Sequence, residues 1–93
     1  MAESGFKGKS MRVVAADVAD GLISINPLFL KKFDNDMIKE LYDYLNKALV
    51  GTRNEKIELT NQASVRIRNM KLQRLHNSMI IIRNMARLKR IPL

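Results

Sequence analysis

Between Ile38 and Leu49 the apolar positions Ile38, Leu41, Leu45, Ala48 and Leu49 recur at intervals of three and four residues. That is the period of a helix with one face turned to a core. Asp36, Glu40, Asp43 and Lys47 fall on the other side. Asp34 or Asn35 can offer a side-chain oxygen to the unpaired amides of a first turn. Gly51 offers a stop, because glycine takes the left-handed conformation without a side-chain clash. The pattern predicts an amphipathic helix over 34–50.

Thr52-Arg53-Asn54-Glu55 then has the spacing of a capping box, in which threonine and glutamate satisfy each other's backbone amides. No glycine or proline follows until Pro92. This predicts a long helix over 53–90, about 38 residues and roughly 57 Å at 1.5 Å per residue. Thr60-Asn61 is its weakest point, since both are poor helix formers. The alternation of Ile57 and Leu59 beside it also permits a short strand.

Placed at 100° steps, the long segment carries two apolar stripes. Ile57, Val65, Leu72, Leu75, Met79, Ile82 and Ala86 form one. Leu59, Ala63, Ile67, Met70, Ile81, Met85 and Leu88 form the other, roughly opposite. A wide polar wedge holds Gln62, Arg66, Asn69, Gln73, His76, Arg83, Arg87 and Arg90, with Ile80 inside it. A narrow one holds Lys71, Ser78 and Lys89, and Arg68 falls within the first stripe. An ordinary surface helix has one stripe and one core. Two stripes call for a second partner, and the expectation is a neighbouring subunit packed on Leu72, Leu75, Met79, Ile82, Ile67, Met70 and Met85. Ile67-Arg68-Asn69-Met70 also recurs as Ile82-Arg83-Asn84-Met85, fifteen residues on. The recurrence places the two copies on similar faces, unless it is a coincidence of composition.

The remaining segments are less regular. Residues 11–25 mix β-branched valines with alanines, and Gly21 breaks either element. The reading is a short helix followed by an extended lead-in to Asn26-Pro27. Residues 1–10 read as a flexible polar tail. The fold class expected is all-α: a single domain over 11–93 in which a short N-terminal element and the 34–50 helix pack on the long basic helix.

Length and composition narrow the function. The chain has 93 residues, 46% hydrophobic and without cysteine. A domain of this size buries a modest share of its surface and gains from outside support. Disulfides and thiolate metal sites are excluded, which leaves oligomerisation. No apolar run is long enough to span a bilayer, and no secretory signal opens the chain. The address expected is cytoplasmic, or the interior of a virus particle.

The net charge of +8 is segregated. Residues 1–50 hold seven basic and seven acidic groups, whereas 51–93 hold ten basic groups against Glu55 and Glu58. Such a field favours polyanions and acidic surfaces. Arg66, Arg83, Arg87 and Arg90, with Asn69 and Gln73, share one wedge and can all reach phosphate oxygens. Arginine's planar fork suits phosphate better than lysine's point charge. The aromatics Phe6, Phe29, Phe33, Tyr42 and Tyr44 all precede the basic segment, which disfavours stacking on single strands.

Other chemistry is not visible. Asp36, Glu40 and Asp43 read as a hydrated face, and His76 as a bystander without a base, an orienting group or a pocket. Gly8-Lys9-Ser10 lacks the glycine spacing of a phosphate loop. The chain reads as non-enzymatic, with no cofactor and no metal. Its first expected role is to coat or bridge nucleic acid. The second is a structural subunit whose basic face meets acidic protein or membrane. The cationic, amphipathic 79–93 stretch argues for a membrane surface; its lack of tryptophan and its divided apolar residues argue against one.

Overall fold

The computed structural model describes residues 5–6, 9–56, 58 and 60–93. Two two-residue strands, β1 (Gly5–Phe6) and β2 (Lys9–Ser10), pair antiparallel. Four helices follow: α1 (Met11–Ala19), α2 (Pro27–Leu30), α3 (Asn35–Arg53) and α4 (Gln62–Lys89). The fold is therefore all-α apart from the small hairpin.

Each helix begins where a side chain can take up a free amide. The Ser10 hydroxyl accepts from the Val13 amide at 3.4 Å. Asn26 Oδ1 accepts from Phe29 at 2.8 Å, and Pro27 sits at the start of α2, where its missing N–H costs nothing. Asp34 Oδ1 accepts from Met37 at 2.8 Å, and Asn61 Oδ1 from Ser64 at 3.2 Å. The end of α1 is set by Gly21, whose φ of 80° few other residues adopt. Leu22 N–H closes that turn onto the Asp17 carbonyl at 2.8 Å.

The helices enclose one core. Met11, Val14 and Val18 of α1 meet Ile38, Leu41 and Leu45 of α3 and Leu75 and Ile82 of α4, all fully buried. Leu30, Phe33 and Ile91 extend the same cluster, and Phe29 packs edge-on against Phe33 with ring centroids 5.1 Å apart. α3 and α4 run antiparallel. Arg68 Nη2 donates to the Arg53 carbonyl at 2.8 Å at one end, and Arg83 Nη2 to the Tyr42 hydroxyl at 2.9 Å towards the other. With 28 residues, α4 is about 42 Å long and spans the 43 Å long axis of the molecule.

Several expectations change. α3 runs through Gly51 to Arg53, so Gly51 is an interior residue and Thr52 lies within the helix rather than capping the next. The long helix starts at Gln62, after the weak Thr60-Asn61 pair, and not at 53. Ile57 and Leu59, read as helix or strand, lie outside the described residues. The polar tail contains the β1–β2 pairing, and the lead-in to Asn26-Pro27 continues into the single turn of α2. Leu75, Met79, Ile82 and Met85, expected at a subunit interface, are buried in the chain's own core. The reason is coverage: α1 and α3 pack along α4, and α2 closes on its C-terminal part, so the first stripe there and Met85 of the second are covered by the same chain, while Leu88 stays exposed. Leu72 is half-buried, whereas Ile67 and Met70 remain exposed. Ser78, expected in a polar wedge, is also buried, its hydroxyl donating to the Arg74 carbonyl at 2.8 Å.

Candidate functional site

The side of α4 turned from the core carries Gln62, Arg66, Asn69, Gln73, His76, Arg83 and Arg87, all exposed. The helical period keeps them on one line, and α1 and α3 pack on the opposite arc, which leaves that line exposed. Asn77 and Asn84 flank the line, also exposed, and Ile80 sits at its middle. No acidic residue occurs anywhere in α4. The result is a strip about 40 Å long, rich in guanidinium and amide donors.

Two groups of donors lie along it. Near the start of α4, Arg66 and Asn69 stand with Gln62, Gln73, Val65 and Met70 around a shallow depression. Arg66 makes no hydrogen bond among the described residues, so its full fork faces solvent. Some 26 Å farther on are Arg83 and Arg87. Arg83 is held by the Tyr42 hydroxyl, and Arg87 Nη2 donates to Asn84 Oδ1 at 3.3 Å. One bond to each leaves most of a guanidinium's five N–H groups for a ligand, while fixing where the fork points.

Arg90 stands apart. It closes α4 in the left-handed conformation, φ 58° and ψ 40°, while the Ile91 amide donates to the Ala86 carbonyl at 2.8 Å. It is exposed but ends the helix rather than extending the strip, so three of the four expected arginines share the helical face.

Of the other basic groups of α4, Lys89 is exposed and lies off the strip, and three are used internally. Arg74 Nη1 donates to the Ala19 carbonyl at 3.1 Å and its guanidinium covers Gly21. Lys71 Nζ lies 3.9 Å from Asp20. Arg68 closes the end of α3. These three cations therefore tie α4 to α1 and α3, and the strip is made from the remainder. Tyr42 was not foreseen as a partner; a contact across 41 positions leaves no local signal. Asn77 and Asn84 could have been found from the angular position that picked out Gln73.

Asp36 and Asp43 are exposed and Glu40 half-buried on the outer side of α3, alongside Lys47, whose ammonium lies 5.2 Å from the centre of the Tyr44 ring. Among the described residues no group of three acidic or imidazole side chains is arranged to hold a metal ion. No described helix is long and apolar enough to cross a membrane. No family model, no curated protein and no solved structure matches this chain.

Proposed function

We propose that the protein binds the backbone of double-stranded nucleic acid along the exposed strip of α4 in an architectural or packaging role. The observation that carries this reading is the acid-free line of Arg66, Arg83 and Arg87 with amide donors between them, on the side of α4 that the core does not use. Arginines and amides are the groups that contact phosphate and sugar oxygens, and such contacts position a duplex without reading its sequence. The absence of any aromatic side chain from α4 fits a duplex better than a stacked single strand.

The test is binding of a labelled duplex, followed by fluorescence anisotropy from low to high salt. Each neutralised phosphate contributes about −0.9 to the slope of log K against log salt, so the three arginines of the strip predict a slope near −2.7. Arg66→Gln reduces the slope by about one and weakens unrelated sequences alike. Replacing Arg66, Arg83, Arg87 and Arg90 together by glutamine abolishes binding without altering the helical circular dichroism. A wild-type protein that ignores duplex at low salt would overturn the proposal.

One observation favours a second reading, a subunit of a protein assembly: Ile67 and Met70 are 56% and 43% exposed near the start of α4. On that reading light scattering detects an oligomer that polar substitution at Ile67 and Met70 dissolves, and duplex does not bind.

A further inference from the structure

The two hydrogen bonds that join α3 to α4 also fix what lies beside the strip. Arg68 Nη2 meets the Arg53 carbonyl, and Arg83 Nη2 meets the Tyr42 hydroxyl. Between these ties the antiparallel register sets Asn46 level with His76. Beyond Tyr42 it sets Lys39 level with the turn that holds Arg87. Lys39, Asn46 and Arg53 all lie within about 60° of Tyr42 around α3. They therefore form a second row, on the flank of α3 that borders the strip. Asn46 and Arg53 are exposed and Lys39 is half-buried. Among the described residues none of the three side chains has a hydrogen bond or an ion pair. Packed helices stand about 8–10 Å apart, so the two rows run side by side for roughly 21 Å.

Acidic residues frame this surface rather than enter it. Asp36, Glu40 and Asp43 lie about 100–160° from Tyr42, on the outer side of α3. Asp43, one turn from Lys39, marks that edge. Glu55 and Glu58 lie in the connection beyond Arg53. A duplex laid over the outer side of α3 would meet three carboxylates. One laid along the seam between α3 and α4 has guanidinium, ammonium and amide donors on both sides.

We infer that α3 supplies a second row of backbone contacts, with Lys39, Asn46 and Arg53 on one side of the duplex and Arg66, Arg83 and Arg87 on the other. This rests on the duplex reading of the strip and enlarges its site from one helix face to two. Lysine, arginine and asparagine are all groups that contact phosphate and sugar oxygens. A single line of donors leaves the protein free to roll about the axis of α4, whereas two rows fix its orientation. Tyr42 is a positioning residue, since its hydroxyl holds the Arg83 fork at the seam between the rows.

The test is a salt titration of labelled duplex binding by the full chain and three variants. The strip alone predicts a slope of about −2.7, and two further cations at about −0.9 each predict about −4.5. Changing Lys39 and Arg53 together to glutamine is expected to return the slope to about −2.7. Helical circular dichroism is expected to hold, because the backbone carbonyl that receives Arg68 is retained. Lys47→Gln removes one charge from the acidic side of α3 and is expected to leave the slope unchanged, whereas Arg53→Gln is expected to reduce it by about one. A wild-type slope of about −2.7 that the double variant leaves unchanged overturns the inference while the strip reading stands. Equal changes from Lys47→Gln and Arg53→Gln also overturn it, since overall charge and not position would then govern binding. A protein that ignores duplex at low salt takes both readings down together.

Discussion

Ile67-Arg68-Asn69-Met70 and Ile82-Arg83-Asn84-Met85 are the same four residues in the same helix, and the fold treats them differently. Ile82 and Met85 are buried, whereas Ile67 and Met70 are 56% and 43% exposed. Arg83 faces solvent and is held by a tyrosine hydroxyl; Arg68 is half-buried and closes the end of α3. Only the asparagines have matching environments, both exposed. Part of the cause is angular. Fifteen residues exceed four turns by about 60°, enough to move a side chain from one flank of a face to the other. The rest is coverage. α2 packs on α4 near the second copy, whereas α3 ends at Arg53, level with Arg68 of the first. Residue identity and period fix which side chains are apolar, but the neighbouring elements decide which of them count as core.

The comparison can be broken most directly by making one substitution in both copies. Ile82→Ala removes a fully enclosed side chain, and such changes cost about 2–5 kcal/mol. Ile67→Ala removes a largely hydrated one and is expected to stay within about 0.5 kcal/mol of wild type. Urea unfolding with unchanged m-values measures both. Equal costs would mean that Ile67 is covered in solution. Repeating the measurement at several protein concentrations would then show whether a second chain covers it, because mass action makes stability concentration-dependent in that case alone.

The contrast also explains what the sequence made legible. The core face and the capping aspartate of α3 could be read because each depends on residues a few positions apart. The polar strip of α4 could be read for the same reason, since an angle along one helix needs no knowledge of its neighbours. The proposed subunit interface failed at Leu75, Met79, Ile82 and Met85 because it rested on how far other segments reach, which α2 helps to decide. α2 did have a local signal, Asn26 followed by Pro27 at the first helical position, but a single turn has no period to detect. The pairing of Arg83 with Tyr42 and the cover of Arg74 over Gly21 are products of tertiary packing, and nothing local announces them.

A smaller effect tests that cover. Gly21 has φ 80°, and an added Cβ would lie 2.9 Å from Arg74 Cζ. Gly21→Ala therefore combines a disfavoured backbone with displacement of the guanidinium that donates to Ala19. The expected loss is about 1–2 kcal/mol. In an Arg74→Ala background, where the obstruction is gone, the same glycine substitution is expected to cost less, with only the backbone term remaining. Equal costs in both backgrounds would show that Arg74 does not restrain the turn.

The smallest effect has the opposite sign. Gly51 was expected to stop α3, yet the helix continues through Thr52 and Arg53 to its cap at Asn54. Gly51 is exposed, its φ is not positive, and an added Cβ would meet nothing within 4 Å. A glycine there has no packing or conformational reason to be glycine, and it lowers the helix propensity of the turn that brings Arg53 to Arg68. Gly51→Ala should therefore stabilise the protein by about 0.5–1 kcal/mol, through lower backbone entropy in the unfolded chain and better propensity in the helix. For a domain of this size that corresponds to a rise in Tm of roughly 2–8 °C. A fall in Tm would mean that α3 ends near Gly51 in solution, as the amino-acid pattern alone suggests. Arg68 would then lose its carbonyl partner, and the first turns of α4 would stand freer of α3 than they do here.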